Sequence, residues 1–71
     1  MNMMKGKETV ESLKNGAVIY TAQSIKSERR LYRYNNIEKV IEYTDDNVNW
    51  KNSKMKLEDF ELEYWMIERS M

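Results

Sequence analysis

The chain contains neither cysteine nor histidine, and over 71 residues that absence constrains the fold more than any other feature. Domains this short bury only about 60% of the surface their unfolded chain exposes, and many are held by a disulfide, a metal or a partner. Without thiols or imidazoles there is no disulfide framework, no zinc-finger or iron–sulfur site and no histidine-based triad. Cohesion must come from large apolar side chains, here two Trp, five Tyr and one Phe with several Ile, Leu and Val. Self-association is the remaining way to complete such a core, so a homo-oligomer is expected. No apolar run reaches the ~18 residues of a membrane span, and the Met-Asn-Met-Met-Lys start lacks the apolar stretch of a signal peptide. A cytoplasmic protein without a membrane partner is the expectation.

Periodicity and punctuation predict the elements. Residues 1–6 read as a frayed terminus and residues 7–71 as a single compact domain. From Lys7 to Asn15 the apolar positions Val10, Leu13 and Ala17 recur at helical spacing, and Gly16 stands where a left-handed residue stops a helix. Residues 17–22 (Ala-Val-Ile-Tyr-Thr-Ala) read as a strand and residues 23–28 as a polar loop. Strands are expected at residues 31–34 and 37–44, joined by a two-residue turn at Asn35-Asn36. Asp45-Asp46-Asn47 is a second turn, leading into a strand at residues 48–50. Asn52 or Ser53 is expected to cap a short helical turn through Leu57 and Phe60, and residues 64–69 close the chain as a strand. The expected class is α+β: an N-terminal helix, a small antiparallel sheet of four to five strands and one short extra helical turn.

Charge divides along the chain although the total is zero. Residues 1–35 carry seven basic and three acidic side chains, and residues 36–71 carry five basic and nine acidic ones. The basic centre is Lys26, Arg29, Arg30 and Arg33, interleaved with Tyr32 and Tyr34. Strand alternation puts Arg30, Tyr32 and Tyr34 on one face, with Leu31 and Arg33 on the other. Guanidinium groups beside phenol rings form a platform for a phosphate and a stacked base, although packing is the commoner role of tyrosines on strands. The acidic counterpart, Glu58, Asp59, Glu61, Glu63 and Glu68, reads as a solvated face or as the partner of another subunit's basic patch.

Nothing points to catalysis. Asp45-Asp46 is explained by turn chemistry, and adjacent strand carboxylates face opposite sides. The alternation of Asp45, Asn47 and Asn49 lacks the glycine and the terminal glutamate of a calcium loop. With only Gly6 and Gly16 there is no phosphate loop, dinucleotide fingerprint or nucleophile elbow. The chain therefore reads as a non-enzyme with no catalytic residue, no metal and no cofactor. A nucleic-acid partner is not expected, since the basic cluster is small and nothing repeats along a groove.

Two stretches carry a resemblance. Residues 8–19 (Glu-Thr-Val-Glu-Ser-Leu-Lys-Asn-Gly-Ala-Val-Ile) resemble the opening helix, glycine turn and first strand of small phage-encoded anti-defence proteins of the Thoeris anti-defence type. Trp50-Lys51-Asn52-Ser53, then Leu57-Glu58-Asp59-Phe60 and Tyr64-Trp65-Met66-Ile67-Glu68, resemble the family's closing turn and strand. The spacing from Trp50 to Asp59 is longer than in that family, Tyr64 replaces the usual Asp before the Trp, and the middle of the chain has no counterpart. The resemblance marks Trp50, Ser53, Asp59 and Trp65 as positions of interest; as a residue of a terminal strand, Trp65 reads as core. It implies a sponge that sequesters a cyclic nucleotide or ADP-ribose-type signal between subunits, in the cytoplasm of the host cell. Arg29, Arg30, Arg33, Tyr32, Tyr34, Trp50 and Ser53 are the candidate ligand-binding residues. The alternative is an inhibitor of the anti-CRISPR kind that docks on a host defence protein, since Tyr, Trp, Met and Arg favour interface cores.

Overall fold

The computed structural model describes residues 3–24 and 29–68. The expected contribution of Lys26, most of the 23–28 loop and Arg69 at the chain end lie outside those residues. The architecture is α+β: helix α1 (Lys7–Lys14), strands β1 (Ile19–Thr21), β2 (Leu31–Asn35), β3 (Val40–Thr44) and β4 (Lys51–Asn52), a 3-10 helix (Leu57–Glu61) and β5 (Trp65–Ile67). The strands form one antiparallel sheet in the order β4-β3-β2-β1-β5.

Helix α1 ends where the glycine requires. Gly16 adopts φ +94° and donates its N–H to Leu13 O at 3.0 Å, while Ala17 N–H reaches Ser12 O at 2.9 Å. These two bonds form a Schellman cap, which uses carbonyls the helix end would leave unpaired. The buried stripe of α1 is Thr9 and Leu13, one turn apart.

Three expected boundaries move, each for a local reason. The β2–β3 turn spans residues 36–39 rather than two asparagines, and β3 starts at Val40 rather than Ile37. Asn35 Oδ1 accepts the N–H groups of Ile37 and Glu38, both at 2.9 Å, and Lys39 closes the turn at φ +61° with its N–H on Asn35 O. Ile37 is left at the tip, 88% exposed. The pairing expected at residues 48–50 begins only at Lys51, because Asp46 has taken the N–H groups of Val48 and Asn49. The 3-10 helix opens at Leu57: the Asp59 carboxylate accepts Lys56 N–H at 2.8 Å, and neither Asn52 nor Ser53 caps it.

The N-terminus also departs from expectation. Met4 is 2% exposed and bridges Trp65, with N–H···O bonds of 2.8 and 2.9 Å in the two directions. A sulfur-bearing side chain is held in the core by backbone pairing at the sheet edge, which alternation over so short a segment does not announce.

The core lies on one face of the sheet, where α1 packs beside the 3-10 helix and over β2. It consists of Met4, Leu13, Ile19, Ile41, Phe60 and Trp65, with Tyr32 and Tyr34 packed at its margin. Tyr32 meets Phe60 and Trp65 edge-on at centroid distances of 5.3 and 5.5 Å, and Phe60 lies 4.7 Å from Trp65. The indole N–H of Trp65 donates to Phe60 O at 2.9 Å, so the largest core side chain leaves no buried donor unpaired.

Thr9 is the exception in that core. It is fully buried, and its hydroxyl has no hydrogen-bond partner among the described residues. A buried polar atom without a partner costs about 1–3 kcal/mol. Thr9→Val keeps the shape and removes the hydroxyl, so it is expected to stabilise the fold by about 1 kcal/mol. Calorimetry should then show Tm rising by roughly 4–8 °C for a domain of this size.

Candidate functional site

Among the described residues the opposite face of the sheet has no helix over it. The registers Ile19↔Tyr32, Arg33↔Glu42 and Tyr20↔Met66, read with strand alternation, put Val18, Tyr20, Leu31, Arg33, Glu42, Thr44 and Met66 there. Among the described residues the loop after β3 crosses this face, and one carboxylate shapes that loop. Asp46 accepts N–H bonds from Val48 (2.9 Å) and Asn49 (2.8 Å), the Asn49 side-chain amide (2.9 Å) and the Thr44 hydroxyl (2.9 Å). Asn47 turns the chain at φ +68°, a conformation asparagine tolerates. The loop places Asn47 and Trp50 beside Leu31, which is only 7% exposed.

Hydrogen bonds from the Asn49 and Val48 backbones and from the Asn49 and Thr44 side chains hold the Asp46 carboxyl far below the usual carboxylate range. The Arg33 guanidinium, with the Asn35 amide, lowers Glu42, and Arg30 lowers Asp45. A depressed folded-state pKa gives stability that is present above the ordinary carboxylate value and lost as pH falls below it. Thermal stability is therefore expected to hold from neutrality to about pH 5 and to fall below about pH 4. Asp46→Asn is expected to lower Tm at pH 7 and flatten the acid limb, a pair of effects that a Tm series from pH 7 to 3 would show.

Two arginine–aromatic stacks stand on the open face. The Arg33 guanidinium lies 4.0 Å from the Trp50 ring centroid, and its Nε donates to Glu42 Oε1 at 2.8 Å. The Arg29 guanidinium lies 3.8 Å from the Tyr20 centroid and reaches Glu68 at 3.5 Å, a loose ion pair. Between them runs a cleft of about 310 Å³ walled by Val18, Leu31 and Trp50, with Asn47 and Glu68 as its polar side chains. A second cleft of about 260 Å³, carrying Arg29, Asp45 and Asp46, adjoins it and shares Leu31, Asn47 and Glu68. The first is near the lower size limit of small-molecule sites and has their mix of apolar walls and few polar groups.

The seven candidate residues do not form one patch. Arg29, Arg33 and Trp50 share the open face. Tyr32 and Tyr34 turn to the core side, so neither ring joins Arg33 in a binding platform. Arg30 shares their face at the sheet margin, lying 4.4 Å from the Tyr43 centroid and chelating Asp45 through bonds of 2.8 and 3.1 Å. Ser53 accepts Met55 N–H at 3.1 Å and lines another cleft, of about 190 Å³, with Tyr34 and Met55. Sequence reasoning missed Tyr20 and Asn47 and left Glu68 among solvated acids. Arg29–Glu68, Arg30–Asp45 and Arg33–Glu42 each join the basic half of the chain to the acidic half, and of the expected acidic counterpart only Glu68 takes part in these pairs.

No protein-family model, curated protein or solved structure matches the chain.

Proposed function

We propose that the protein is a phage counter-defence factor that binds and sequesters a cyclic nucleotide or ADP-ribose-type immune signal without chemistry. The observation that carries this reading is the Arg33 guanidinium lying 4.0 Å from the Trp50 ring beside an apolar cleft. In it the base enters against Trp50, Leu31 and Val18, and a phosphate takes the outer edge of Arg33. The family resemblance supplies the counter-defence setting, the host cytoplasm and an oligomer whose subunits close over the ligand. Among the described residues no helix is long and apolar enough to cross a membrane.

Electrostatics set the character of such binding. Arg29 and Arg33 are offset by Glu68 and Glu42, so long-range attraction of an anion is weak and affinity rests on stacking and short hydrogen bonds. Binding should accordingly vary little with ionic strength.

The test is a thermal-shift screen against cyclic di- and trinucleotides and ADP-ribose derivatives. A ligand at 100 times its Kd adds about 2.7 kcal/mol, which in a domain this small raises Tm by roughly 10–20 °C. A flat screen overturns the reading. The same neutralised arginines, lying on rings beside Met66, favour a second reading, docking on a host defence protein. A flat screen together with a host protein retained by the wild type and released by Trp50→Ala would establish that one.

A further inference from the structure

The cleft beside Trp50 has a polarity that the phosphate contact at Arg33 does not explain. Its side-chain groups are the Glu68 carboxylate, which only accepts hydrogen bonds, and the Asn47 amide, which does both. The adjoining cleft carries Arg29, already engaged with Glu68, together with Asp45 and Asp46, whose carboxylates are taken by Arg30 and by the loop's own N–H groups. Within the cleft beside Trp50, Glu68 is therefore the charged side chain among the described residues, and a phosphate or an acceptor-rich ring edge placed there would face its carboxylate. A ring edge rich in N–H donors is matched instead.

Glu68 is placed to accept such an edge. Its backbone N–H is fixed on Val18 O at 2.7 Å, so its position at the end of β5 is set by the sheet. Its side chain is 30% exposed, and its ion pair with Arg29 is loose at 3.5 Å. A carboxylate has about four lone-pair sites, and this long contact, the one Glu68 makes through its side chain among the described residues, leaves oxygen positions for a ligand. The geometry points to Glu68 and Asn47 as the base-reading residues of the site, selecting a flat heterocycle with two neighbouring N–H donors, as guanine has on its Watson–Crick edge. The inference rests on the signal-binding reading above and adds which base is taken. Guanine N1–H and the 2-amino group meet both carboxylate oxygens at once, in the parallel two-bond arrangement that makes carboxylate pairs specific. Adenine offers its 6-amino donor beside the N1 acceptor, which a carboxylate repels. The Asn47 amide N–H is then available for guanine O6.

Calorimetric titration with 5′-GMP, 5′-IMP and 5′-AMP tests this on the wild type and on Glu68→Gln, with Trp50→Ala locating the site. Expected is GMP binding at least about tenfold tighter than AMP, with IMP, which lacks the 2-amino group, in between. Glu68→Gln should erase the preference with Tm unchanged. AMP binding as tightly as GMP, or a preference that survives Glu68→Gln, overturns the inference. If AMP or ADP-ribose binds in a Trp50-dependent manner and GMP does not, the guanine reading falls and nucleotide binding at this face stands. If none of these ligands and no cyclic nucleotide binds, both fall.

Discussion

Replacing Trp65 with alanine is expected to remove most of the stability of this domain. Large-to-small substitutions of buried Trp or Phe cost about 3–5 kcal/mol, and a chain of this length holds roughly 4–10 kcal/mol in total. Trp65 is 1% exposed, touches both Tyr32 and Phe60, bonds Phe60 O through its indole and pairs in β5 with both Thr21 and Met4. Its loss opens a cavity and leaves the Phe60 carbonyl unpaired at the point where sheet, 3-10 helix and N-terminus meet. Urea denaturation followed by circular dichroism should place the midpoint of Trp65→Ala near zero denaturant. Trp50→Ala, at the half-buried face, should keep most of the wild-type midpoint. Equal losses for the two tryptophans would contradict this assignment of core and face.

The second large effect concerns binding. Arg33→Ala is expected to weaken the nucleotide-type ligand by about 10–100-fold, the worth of a charge-assisted hydrogen bond of about 1.5–3 kcal/mol. Arg30→Ala is expected to leave affinity unchanged, because that guanidinium lies over Tyr43 on the other side of the sheet and reaches only the marginal Asp45, away from Trp50. Glu42→Gln should tighten binding, since Glu42 competes with the phosphate for Arg33. All three variants should fold, because these ion pairs are partly exposed and such pairs contribute at most about 1 kcal/mol. Titration of the four proteins with one ligand from the thermal-shift screen decides the matter. A loss on Arg30→Ala equal to that on Arg33→Ala would mean the ligand does not sit on the open face.

Local chemistry alone determined a good part of this molecule. Gly16 as the helix stop, the strand character of Ile19–Thr21 and of residues 31–34, the Asp45-Asp46-Asn47 turn and the α+β class all follow from neighbours within a few residues. Asn35 shows the limit of such reasoning even at short range. Its side chain, rather than its tolerance of positive φ, sets the turn, and the turn became four residues long.

What tertiary structure decided is which side of each strand matters. A period of two tells that Arg30, Tyr32 and Tyr34 share a face and that Leu31 and Arg33 share the other. It carries no information on which face is covered. That depends on the long-range registers Ile19↔Tyr32 and Thr21↔Trp65 and on where α1 and the 3-10 helix come to rest. Those contacts turn Tyr32 and Tyr34 toward the core and leave Arg33 open, beside a tryptophan 17 positions further along the chain. The three ion pairs likewise join residues 9 to 39 positions apart. Burial and charge pairing are sums over the whole assembled sheet, so a residue's own neighbours in sequence cannot reveal them.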